Sequence, residues 1–404
     1  MNETSDVIVV GGGPCGSFTA LNLAKLGRTV TVFEEHGHIG VPSHCPGHLS
    51  IRGLKRLGLH PLPNEIVENT FRGANFYSPS GKEFSVRFDQ AVTCTVNRTM
   101  FDRYIAEKAQ EAGVDYQVNS RVASLIRENE FTRGAVIERE GSKSNRRAKI
   151  VVDAEGMPSR IMRKVGLRGP CDLVNGVEAE VENVSNAEDS VDVYLGNEFA
   201  RGFYAWLIPK KDGRAKVGLA TRSGNPKALL QKLMQKHPVA SGKLQSARVL
   251  TTAFHPIALG GPIKRPYSSG FLAVGDAASQ VKPTTGGGVV LGMACARIAA
   301  EVASEALNTG DFSEEQLSMY CVLCRKRFGL DVRAMLAMRN ILNRLSDNKL
   351  NDAITLCSRI GLDKTLQKVE DLDFQGRAFL RVLRSPRVLT IVGYFIFAYL
   401  SGNI

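Results

Sequence analysis

Apolar and glycine-rich segments alternate at the start of the chain and predict a strand, a helix and a second strand. Val7 to Val10 is a continuous apolar run, as expected of a parallel strand buried on both faces. A helical pattern follows from Pro14 to about Leu26 and stops at Gly27, a residue type that often ends helices. Thr29 to Phe33 is a second run rich in β-branched residues. These segments predict a βαβ unit.

Three glycines between the first strand and the helix have the spacing G-x-G-x-x-G. Gly11 allows a tight turn, Gly13 lets the backbone approach a pyrophosphate, and Gly16 lets helix and strand pack closely. The pyrophosphate then lies on the helix N-terminus. Glu34, about 20 residues further on, can accept hydrogen bonds from both ribose hydroxyls. Because the motif stands between a strand and a helix, it predicts a dinucleotide site.

Two later segments indicate that the dinucleotide contains a flavin. The run 270–278 reads as a strand that ends in Gly275-Asp276, and Asp276 can hold the ribityl hydroxyls. The glycines 286–288 then precede a helix of small residues from Val289 to about 306. The positive end of that helix at Gly288 can stabilise the charge near N1 of a reduced flavin.

Two single residues complete the predicted dinucleotide site. Arg98 stands ahead of a helical pattern over 100–112 and is well placed for a phosphate. Val122 follows the next strand, and its backbone can meet the adenine. An ordinary core valine is an equally good interpretation of Val122.

Composition and charge exclude several classes of protein. The 404 residues suggest two or three domains at about 150 residues each. Eight cysteines in so long a chain indicate a reducing compartment rather than a disulfide scaffold. The net charge of +12 fits a solvated basic surface, an anionic membrane or a phosphorylated substrate. No nucleic-acid motif, secretory leader or membrane-spanning apolar run is found, so we expect a cytoplasmic protein that binds no nucleic acid.

Two further segments carry a resemblance to a known family. The segment 202–210 contains Tyr204 and Trp206, the single tryptophan, in the pattern Y-x-W-x-I-P-K. The segment 42–49 places Cys45 at the cysteine position of a P-V-R-C-G-E-G-L-like stretch. With the glycine loop, these segments resemble the FAD-dependent geranylgeranyl reductases, within the hydroxylase-like flavoproteins, over nearly the whole chain to about residue 330.

The resemblance implies a set of residues that contact FAD. These are Cys15, Glu34, Cys45, Pro46, His48, Arg98, Val122, Asp276, Gly288 and Val289. The chain departs from the family at two places. Residues 45–48 are Cys-Pro-Gly-His where the family has C-G-E-G, and Glu155-Gly156 stands where the family has an aspartate-glycine motif. We expect FAD binding to survive these changes, whereas the proton source is less secure.

Cys45, Tyr204 and Trp206 are the candidates for the reaction itself. The Cys45 thiol can donate a proton beside the flavin, or it is a small buried hydrophobic residue. Tyr204 and Trp206 alternate along a strand and therefore share one face. That face forms either one wall of an apolar tunnel, which we favour, or ordinary sheet packing.

We expect no metal site, although histidines and cysteines cluster in two places. Five of the seven histidines fall between His36 and His60, but no ligand pair recurs elsewhere at matching spacing. Cys321 and Cys324 form C-x-x-C within a helical pattern, where core cysteines are favoured over a redox pair.

The resemblance implies reduction of the alkenes of geranylgeranyl chains, on membrane ether-lipid precursors. No second G-x-G-x-x-G stands between a strand and a helix, so the sequence predicts no stable NAD(P)H domain. We therefore expect an external electron donor, either ferredoxin or NAD(P)H. Three alternatives stay open: a flavin monooxygenase, a quinone-linked electron-transfer flavoprotein and a non-redox prenyl-lipid cyclase. We expect the protein to be a monomer.

The predicted fold class is α/β. A Rossmann-like FAD-binding domain comprises 1–166, with a sheet-rich excursion near 62–95, and 266–312. A mixed-sheet substrate domain for the prenyl chain spans 167–265, and a helical region spans 313–404.

The end of the chain predicts a contact with a membrane surface. Arg377, Arg381 and Arg384 fall on one helical stripe in a stretch without acids. The segment 388–400 is then almost wholly apolar but too short to span a bilayer. A basic amphipathic helix followed by a short apolar one is typical of a peripheral anchor, here on the cytoplasmic face. A helix packed on the domain is the alternative.

Overall fold

The computed structural model describes residues 5–185, 189–369, 371–382 and 385–400. The chain forms two compact units, each assembled from three stretches. Unit 1 comprises Met1–Ser43, Arg98–Asp172 and Ala258–Leu330, and unit 2 comprises His44–Asn97, Leu173–Ile257 and Asp331–Ile404.

The described residues form strands and helices throughout both units. The strands are β1 Ser5–Val10, β2 Val30–Phe33, β3 His48–Ser50, β4 Val67–Phe71, β5 Gly73–Tyr77, β6 Glu83–Arg87, β7 Thr93–Val96, β8 Asp115–Gln117, β9 Arg121–Glu128, β10 Phe131–Arg139, β11 Ser142–Asp153, β12 Leu173–Glu182, β13 Ser190–Tyr194, β14 Ala205–Pro209, β15 Arg214–Thr221, β16 Arg248–Ala258, β17 Tyr267–Ser268 and β18 Phe271–Ala273. The helices are α1 Pro14–Lys25, α2 Ile51–Leu57, α3 Arg98–Glu111, α4 Ile161–Lys164, α5 Asn197–Ala200, α6 Pro226–Lys236, α7 Ala240–Leu244, α8 Val289–Thr309, α9 Glu314–Leu342, α10 Asp347–Arg359, α11 Asp363–Leu366, α12 Gln375–Val382 and α13 Pro386–Leu400.

The central sheet of unit 1 has the strand order β17-β18-β11-β1-β2-β8. β1 pairs in parallel with β11 and β2, and β18 and β8 extend the parallel part on either side. Strand β1 is central and its residues from Val7 to Val10 are buried, which explains the unbroken apolar run. Helix α1 packs against α3 and α8. The predicted α/β class and the opening βαβ unit are confirmed.

The strand predicted over 270–278 is shorter than the sequence suggested. Only Phe271–Ala273 pairs in the sheet, and Gly275–Ala278 forms a turn of 3₁₀ helix. Gly275 has a φ of +66°, a left-handed conformation that turns the chain out of the sheet. Asp276 therefore lies on this turn, at the carboxyl end of the sheet.

Unit 2 contains a mixed sheet in the order β16-β12-β15-β14-β13-β5-β6. β13 and β5 are parallel, whereas β12, β15 and β14 pair antiparallel with their neighbours. One face carries core residues such as Val177, Leu207 and Val217, which pack with Leu230 and Leu233 of α6. The opposite face carries the candidate substrate residues.

The last helix, α13, is buried on one side only. Val388 and Ile391 are buried together with Phe84 and Val86 of β6. Leu389, on another side of the helix, has 53% of its surface exposed. The helix is thus packed on unit 2 on one side and exposes apolar side chains on another, and its contact with a membrane remains a prediction. Among the described residues, none of the helices has the length and apolar character needed to cross a bilayer.

The basic stripe ahead of α13 is described only in part. The Arg377 Nε lies 3.6 Å from the buried Asp331 carboxylate. Arg384 lies outside the described residues, as does the side chain of Arg381.

The packed side of α13 should contribute to stability and its exposed side should not. We expect Ile391→Ala to lower the free energy of unfolding by about 2–5 kcal/mol, because it leaves a cavity in the core of unit 2. Leu389→Ala, the matched control two positions away, should change it by less than about 0.5 kcal/mol. Chemical denaturation followed by circular dichroism measures both. Equal effects of the two substitutions would contradict this packing.

Candidate functional site

The glycine loop of unit 1 brings backbone groups closer together than side chains would permit. A Cβ at Gly16 would lie 2.0 Å from the Gly11 carbonyl oxygen, and a Cβ at Gly11 would lie 2.6 Å from the Ala154 carbonyl oxygen. No atom lies within 4 Å of the Cβ position at Gly13. The loop is therefore closed on the side of the sheet and open at Gly13, where α1 begins. An anionic group can approach the helix N-terminus there.

The carboxylate of Glu34 lies against this loop. It follows β2, and its Oε2 accepts a hydrogen bond of 2.8 Å from the Gly12 N–H. Its Oε1 accepts from the His36 N–H at 2.9 Å. His36 Nδ1 also lies 2.6 Å from Oε1, so the carboxylate is fixed beside the glycine loop and Oε2 keeps a lone pair for a ribose hydroxyl.

Arg98 and Cys15 lie close together in unit 1. The Arg98 guanidinium forms a two-pronged hydrogen bond to Asp102, with distances of 3.1 and 3.0 Å. Burial strongly raises the pKa of the Cys15 thiol, and the nearby Asp276 raises it further, while Arg98 acts in the opposite direction. The Cys15 thiol is therefore neutral. It fills the space over Gly275 and Gly292, where an added Cβ would lie within 2.9 Å of its sulfur.

A second helix N-terminus meets the Asp276 carboxylate. Gly288 is the N-cap of α8 and Val289 is its first residue. A Cβ at Gly288 would lie 2.7 Å from Asp276 Oδ1, so only glycine leaves room for the carboxylate. The positive end of the α8 dipole and the Asp276 carboxylate therefore lie side by side. A polar ligand that carries both acceptors and donors can bind to both of them.

Val122 lies in β9 with its side chain in the core of unit 1, among Ile8, Phe33 and other apolar residues. The neighbouring Ser120 N–H donates to the Glu34 carbonyl oxygen at 2.8 Å. The backbone before Val122 thus runs beside the end of β2. The contact between Val122 and adenine remains a prediction.

The segment that contains Cys45, Pro46 and His48 belongs to unit 2. The Lys216 ammonium donates to the Pro46 carbonyl oxygen at 3.0 Å and to Glu68 at 2.6 Å. The His48 ring lies edge-on to Phe71, with 5.5 Å between ring centroids. Lys216 therefore holds the backbone beside the Cys45 thiol, which is itself partly buried.

Tyr204 and Trp206 lie in one apolar cluster of unit 2, as their spacing predicts. Their rings meet edge to face at 6.0 Å. The cluster is completed by Phe71, Val191, Ile208, Ala74 and Phe203. This cluster packs on the face of the sheet away from α6, where Phe71, Val191, Trp206 and Ile208 are buried and Ala74, Phe203 and Tyr204 are partly buried.

A buried row of charges lies beside this apolar cluster and was missed by the sequence analysis. The Lys210 ammonium lies 3.1 Å from Glu68 and 2.9 Å from Glu180. Burial acts to lower the pKa of Lys210, but its hydrogen bonds to the two carboxylates outweigh burial and raise it. Together with Lys216, these groups form a network of alternating charges.

Glu178 is the member of this region with the most unusual acidity. It lies on β12 beside Trp206, whose indole N–H donates to its Oε2 at 3.4 Å. Burial raises the pKa of Glu178 to about 7, and the Coulomb effects of Glu68 and Glu180 raise it while Lys216 lowers it. In the sequence, the only indication of this acidic site is that positions 178, 180 and 182 are all glutamate and therefore share one face of a strand.

The histidine and cysteine clusters form no metal site within the ranges that the structure describes. The rings of His44 and His255 stack at 5.8 Å between centroids. All eight cysteines are free thiols, including Cys321 and Cys324 of α9.

The residues of unit 1 fit FAD. The open helix N-terminus at Gly13 suits a pyrophosphate, Glu34 suits the adenosine ribose, and Asp276 suits the ribityl chain. The tight contacts at Gly16 and Gly288 fix the loop and Asp276 in place, while the space at Gly13 stays open for the cofactor.

Comparisons with known proteins agree with this assignment. A family model described as an FAD binding domain matches residues 4–327. The digeranylgeranylglycerophospholipid reductase of Methanocaldococcus jannaschii is 34% identical over 357 residues, covering 87% of this chain and 90% of the relative. The digeranylgeranylglycerophospholipid reductase 2 of Methanopyrus kandleri is 34% identical over 392 residues, covering 95% of this chain and 97% of the relative.

A crystal structure of a geranylgeranyl bacteriochlorophyll reductase-like protein from Thermoplasma acidophilum has the same fold. Its TM-score is 0.86 at 27% identity, and the match covers 97% of this chain and 99% of that one. The cofactor of the site is FAD, as the glycine loop and Asp276 predict.

Glu34 should contribute strongly to FAD affinity. We expect Glu34→Ala to weaken binding by about 1.5–3 kcal/mol, since charge-assisted hydrogen bonds to the ribose are lost. This corresponds to a roughly 10- to 100-fold higher Kd in a fluorescence titration of the deflavinated protein. Glu35→Ala is the matched control, because Glu35 pairs with Arg160 at 3.0 Å on the surface. A protein that never retains FAD would contradict the assignment of the cofactor.

Proposed function

Because the chain belongs to the digeranylgeranylglycerophospholipid reductase family, we propose that it reduces the carbon–carbon double bonds of geranylgeranyl chains on ether-lipid precursors. The observation that carries this proposal is the 34% identity with a reductase of that name over 95% of the chain. The apolar cluster of unit 2 supports it, because a prenyl chain is a hydrocarbon with no polar group to recognise.

Bound FAD, once reduced, would supply the hydride, which carries the two electrons that each double bond needs. We propose that the loop from Gly11 to Gly16 holds its pyrophosphate, Glu34 its ribose and Asp276 its ribityl chain. The N-terminus of α8 at Gly288 stabilises negative charge on the reduced cofactor. Cys15, Cys45, Pro46, His48, Arg98, Val122 and Val289 complete the proposed set of contacts.

The prenyl chain is proposed to bind along Tyr204 and Trp206. An isolated trisubstituted alkene gains positive charge at its more substituted carbon as a proton adds to the other carbon, and the hydride then adds to the positively charged carbon. Water at that position would divert the reaction, so the walls of the site must be apolar and closely packed. Phe71 and Ile208 are buried and pack with the two aromatic side chains, which keeps this wall closely packed within unit 2.

The alternatives derived from the sequence are less well supported. A flavin monooxygenase, a quinone-linked flavoprotein and a prenyl-lipid cyclase share parts of this chemistry, but the relatives at 34% identity are named as reductases of geranylgeranyl lipids. We propose an external electron donor, ferredoxin or NAD(P)H.

Anaerobic turnover tests the reaction. The dithionite-reduced enzyme, offered a geranylgeranyl lipid without oxygen, should yield products heavier by two hydrogens for each reduced alkene in mass spectrometry. Trp206→Ala should lower turnover on the order of 100-fold with FAD still bound, because a misplacement near 1 Å is that costly. Trp206→Phe, which keeps an aromatic wall but lacks the indole N–H, should lose less of the rate than Trp206→Ala.

Other products would assign the protein to another class. Hydroxylation that requires oxygen and NAD(P)H indicates a monooxygenase, and reduction of quinone without change to the lipid indicates an electron-transfer protein. A product with the mass of its substrate indicates a cyclase.

We also propose that α13 places the protein on the anionic cytoplasmic face of a membrane. Leu389, Ile396 and Phe397 are 53%, 50% and 69% exposed and fall on one side of the helix. Three exposed apolar side chains with this spacing can enter the interfacial region of a bilayer. The net charge of +12 favours anionic lipid headgroups.

Replacing these three residues by serine should lower binding to anionic liposomes by at least about 10-fold, since each buried side chain contributes roughly 1.5–3 kcal/mol. FAD content should not change. The matched control replaces Leu26, Leu173 and Val322, which are also exposed, by serine. Co-sedimentation measures both variants, and equal binding by the two would show that α13 is no membrane contact.

A further inference from the structure

Glu178, Gly218 and Trp206 form a row across three strands of unit 2. Glu178 of β12 pairs with Gly218 of β15, and Gly218 pairs with Trp206 of β14. Directly paired residues of antiparallel strands point to the same face of a sheet. The two side chains therefore flank a glycine on one face.

The glycine between them allows the indole to reach the carboxyl. A Cβ at Gly218 would lie 2.5 Å from Cζ2 and 2.7 Å from Cε2 of the Trp206 ring. The ring thus lies over Gly218, and its N–H donates to Glu178 Oε2 at 3.4 Å. This hydrogen bond uses one oxygen of the carboxyl and leaves the other oxygen to carry a proton.

The charges around Glu178 come from three other positions in unit 2. Lys216 of β15, Glu68 of β4 and Glu180 of β12 act on it, together with the indole of Trp206. The Lys216 ammonium donates to Glu68 and to the Pro46 carbonyl oxygen. The Lys210 ammonium lies between Glu68 and Glu180. Burial raises the pKa of Glu178 and outweighs Lys216 and the indole N–H of Trp206, which both act to lower it.

Trp206 also belongs to the apolar cluster with Phe71, Val191 and Ile208. A carboxyl group held at the edge of a hydrocarbon surface is favoured in its neutral, proton-donating form. A general acid is most effective when its acidity matches the working pH. Glu178 meets both conditions at the surface that we assign to the prenyl chain.

We propose that Glu178 is the acid that protonates the double bond, with Trp206 as the residue that positions its carboxyl. The proposal rests on the proposed function. Each reduced double bond gains one hydride, which carries two electrons from reduced FAD, and one proton. The O–H bond of Glu178 breaks as the new C–H bond forms on the carbon that does not receive the hydride. The carboxylate then regains a proton from water, so that atoms and charge balance.

Two groups of unit 2 compete for this role, the Cys45 thiol and the Glu178 carboxyl. The test measures oxidation of dithionite-reduced holoenzyme by geranylgeranyl lipid in a single anaerobic turnover. Glu178→Gln, which keeps the shape but has no acidic proton, should slow this step by roughly 100-fold or more. Cys45→Ser, whatever its effect on the rate, should keep the pH-dependent step that Glu178→Gln loses. Glu182→Gln, on the same strand face and paired with Arg248 at the surface, is the matched control.

The pH profile separates a proton donor from a structural residue. The wild-type rate should fall as the pH rises through about 7, the pKa to which burial raises Glu178, because deprotonation removes the donor form. Glu178→Gln should lose this dependence. Glu178→Asp, which restores an acid on a shorter side chain, should recover part of the rate.

Trp206 offers a readout that does not require turnover. Because the chain has one tryptophan, isotope-labelled tryptophan gives the holoenzyme a single indole N–H resonance. In the wild type its chemical shift should move with a midpoint near pH 7, as the hydrogen-bonded Glu178 titrates. In Glu178→Gln the same resonance should not titrate, and in Glu182→Gln it should titrate as in wild type.

Three outcomes would overturn the proposal. In the first, wild-type enzyme reduces the lipid while Glu178→Gln keeps its rate and pH profile. In the second, Cys45→Ser rather than Glu178→Gln loses the pH-dependent step. In the third, the indole resonance of wild type does not titrate between about pH 5 and 9. Failure of wild type to reduce any geranylgeranyl lipid would instead refute the proposed function, and the assigned role of Glu178 with it.

Discussion

A contact between two stretches of backbone determines the geometry of unit 1. Gly16 in the first turn of α1 packs on the Gly11 carbonyl so closely that a Cβ would lie 2.0 Å from the oxygen. This contact fixes the direction in which α1 leaves the sheet, and so the place where its N-terminal N–H groups converge. Cys15 then fits against Gly275 and Gly292, which ties α1 to α8. Two helix N-termini are thereby held for one cofactor.

In unit 2, a glycine again makes room for a close contact, and buried charged residues lie beside it. Gly218 leaves room for the Trp206 ring, and Lys216, Lys210, Glu68 and Glu180 form ion pairs next to it. Burying charges costs free energy unless every partner is present, so such a network adds little to stability. We infer that the network instead fixes the positions of the side chains and backbone groups to which it is hydrogen-bonded. Lys216 holds the Pro46 carbonyl, and burial raises the pKa of Glu178 to about 7 even though Lys216 acts to lower it.

The sequence predicted the features that depend on neighbours along the chain. The βαβ unit, the glycine loop with Glu34, and α8 beginning at Val289 all follow from local periodicity and turn residues. Tyr204 and Trp206 share a cluster because alternation along a strand needs no knowledge of its partners. Glu178 could not be found in this way, because its relation to Trp206 depends on the register of β12, β15 and β14. Register between distant strands is set by packing, which local patterns do not encode.

The assembly of unit 2 from three separate stretches has a consequence during synthesis on the ribosome. Phe84 and Val86 of β6 are covered by Ile391 and Val388 of the last helix, so residues near the two ends of the chain share one core. At elongation rates of roughly 5–20 residues per second, β6 emerges on the order of 15–60 s before α13. Its apolar side chains lack this native partner for all of that time. Nascent chains should therefore depend on holding factors until α13 has been synthesised, and termination before α13 should yield aggregation-prone protein.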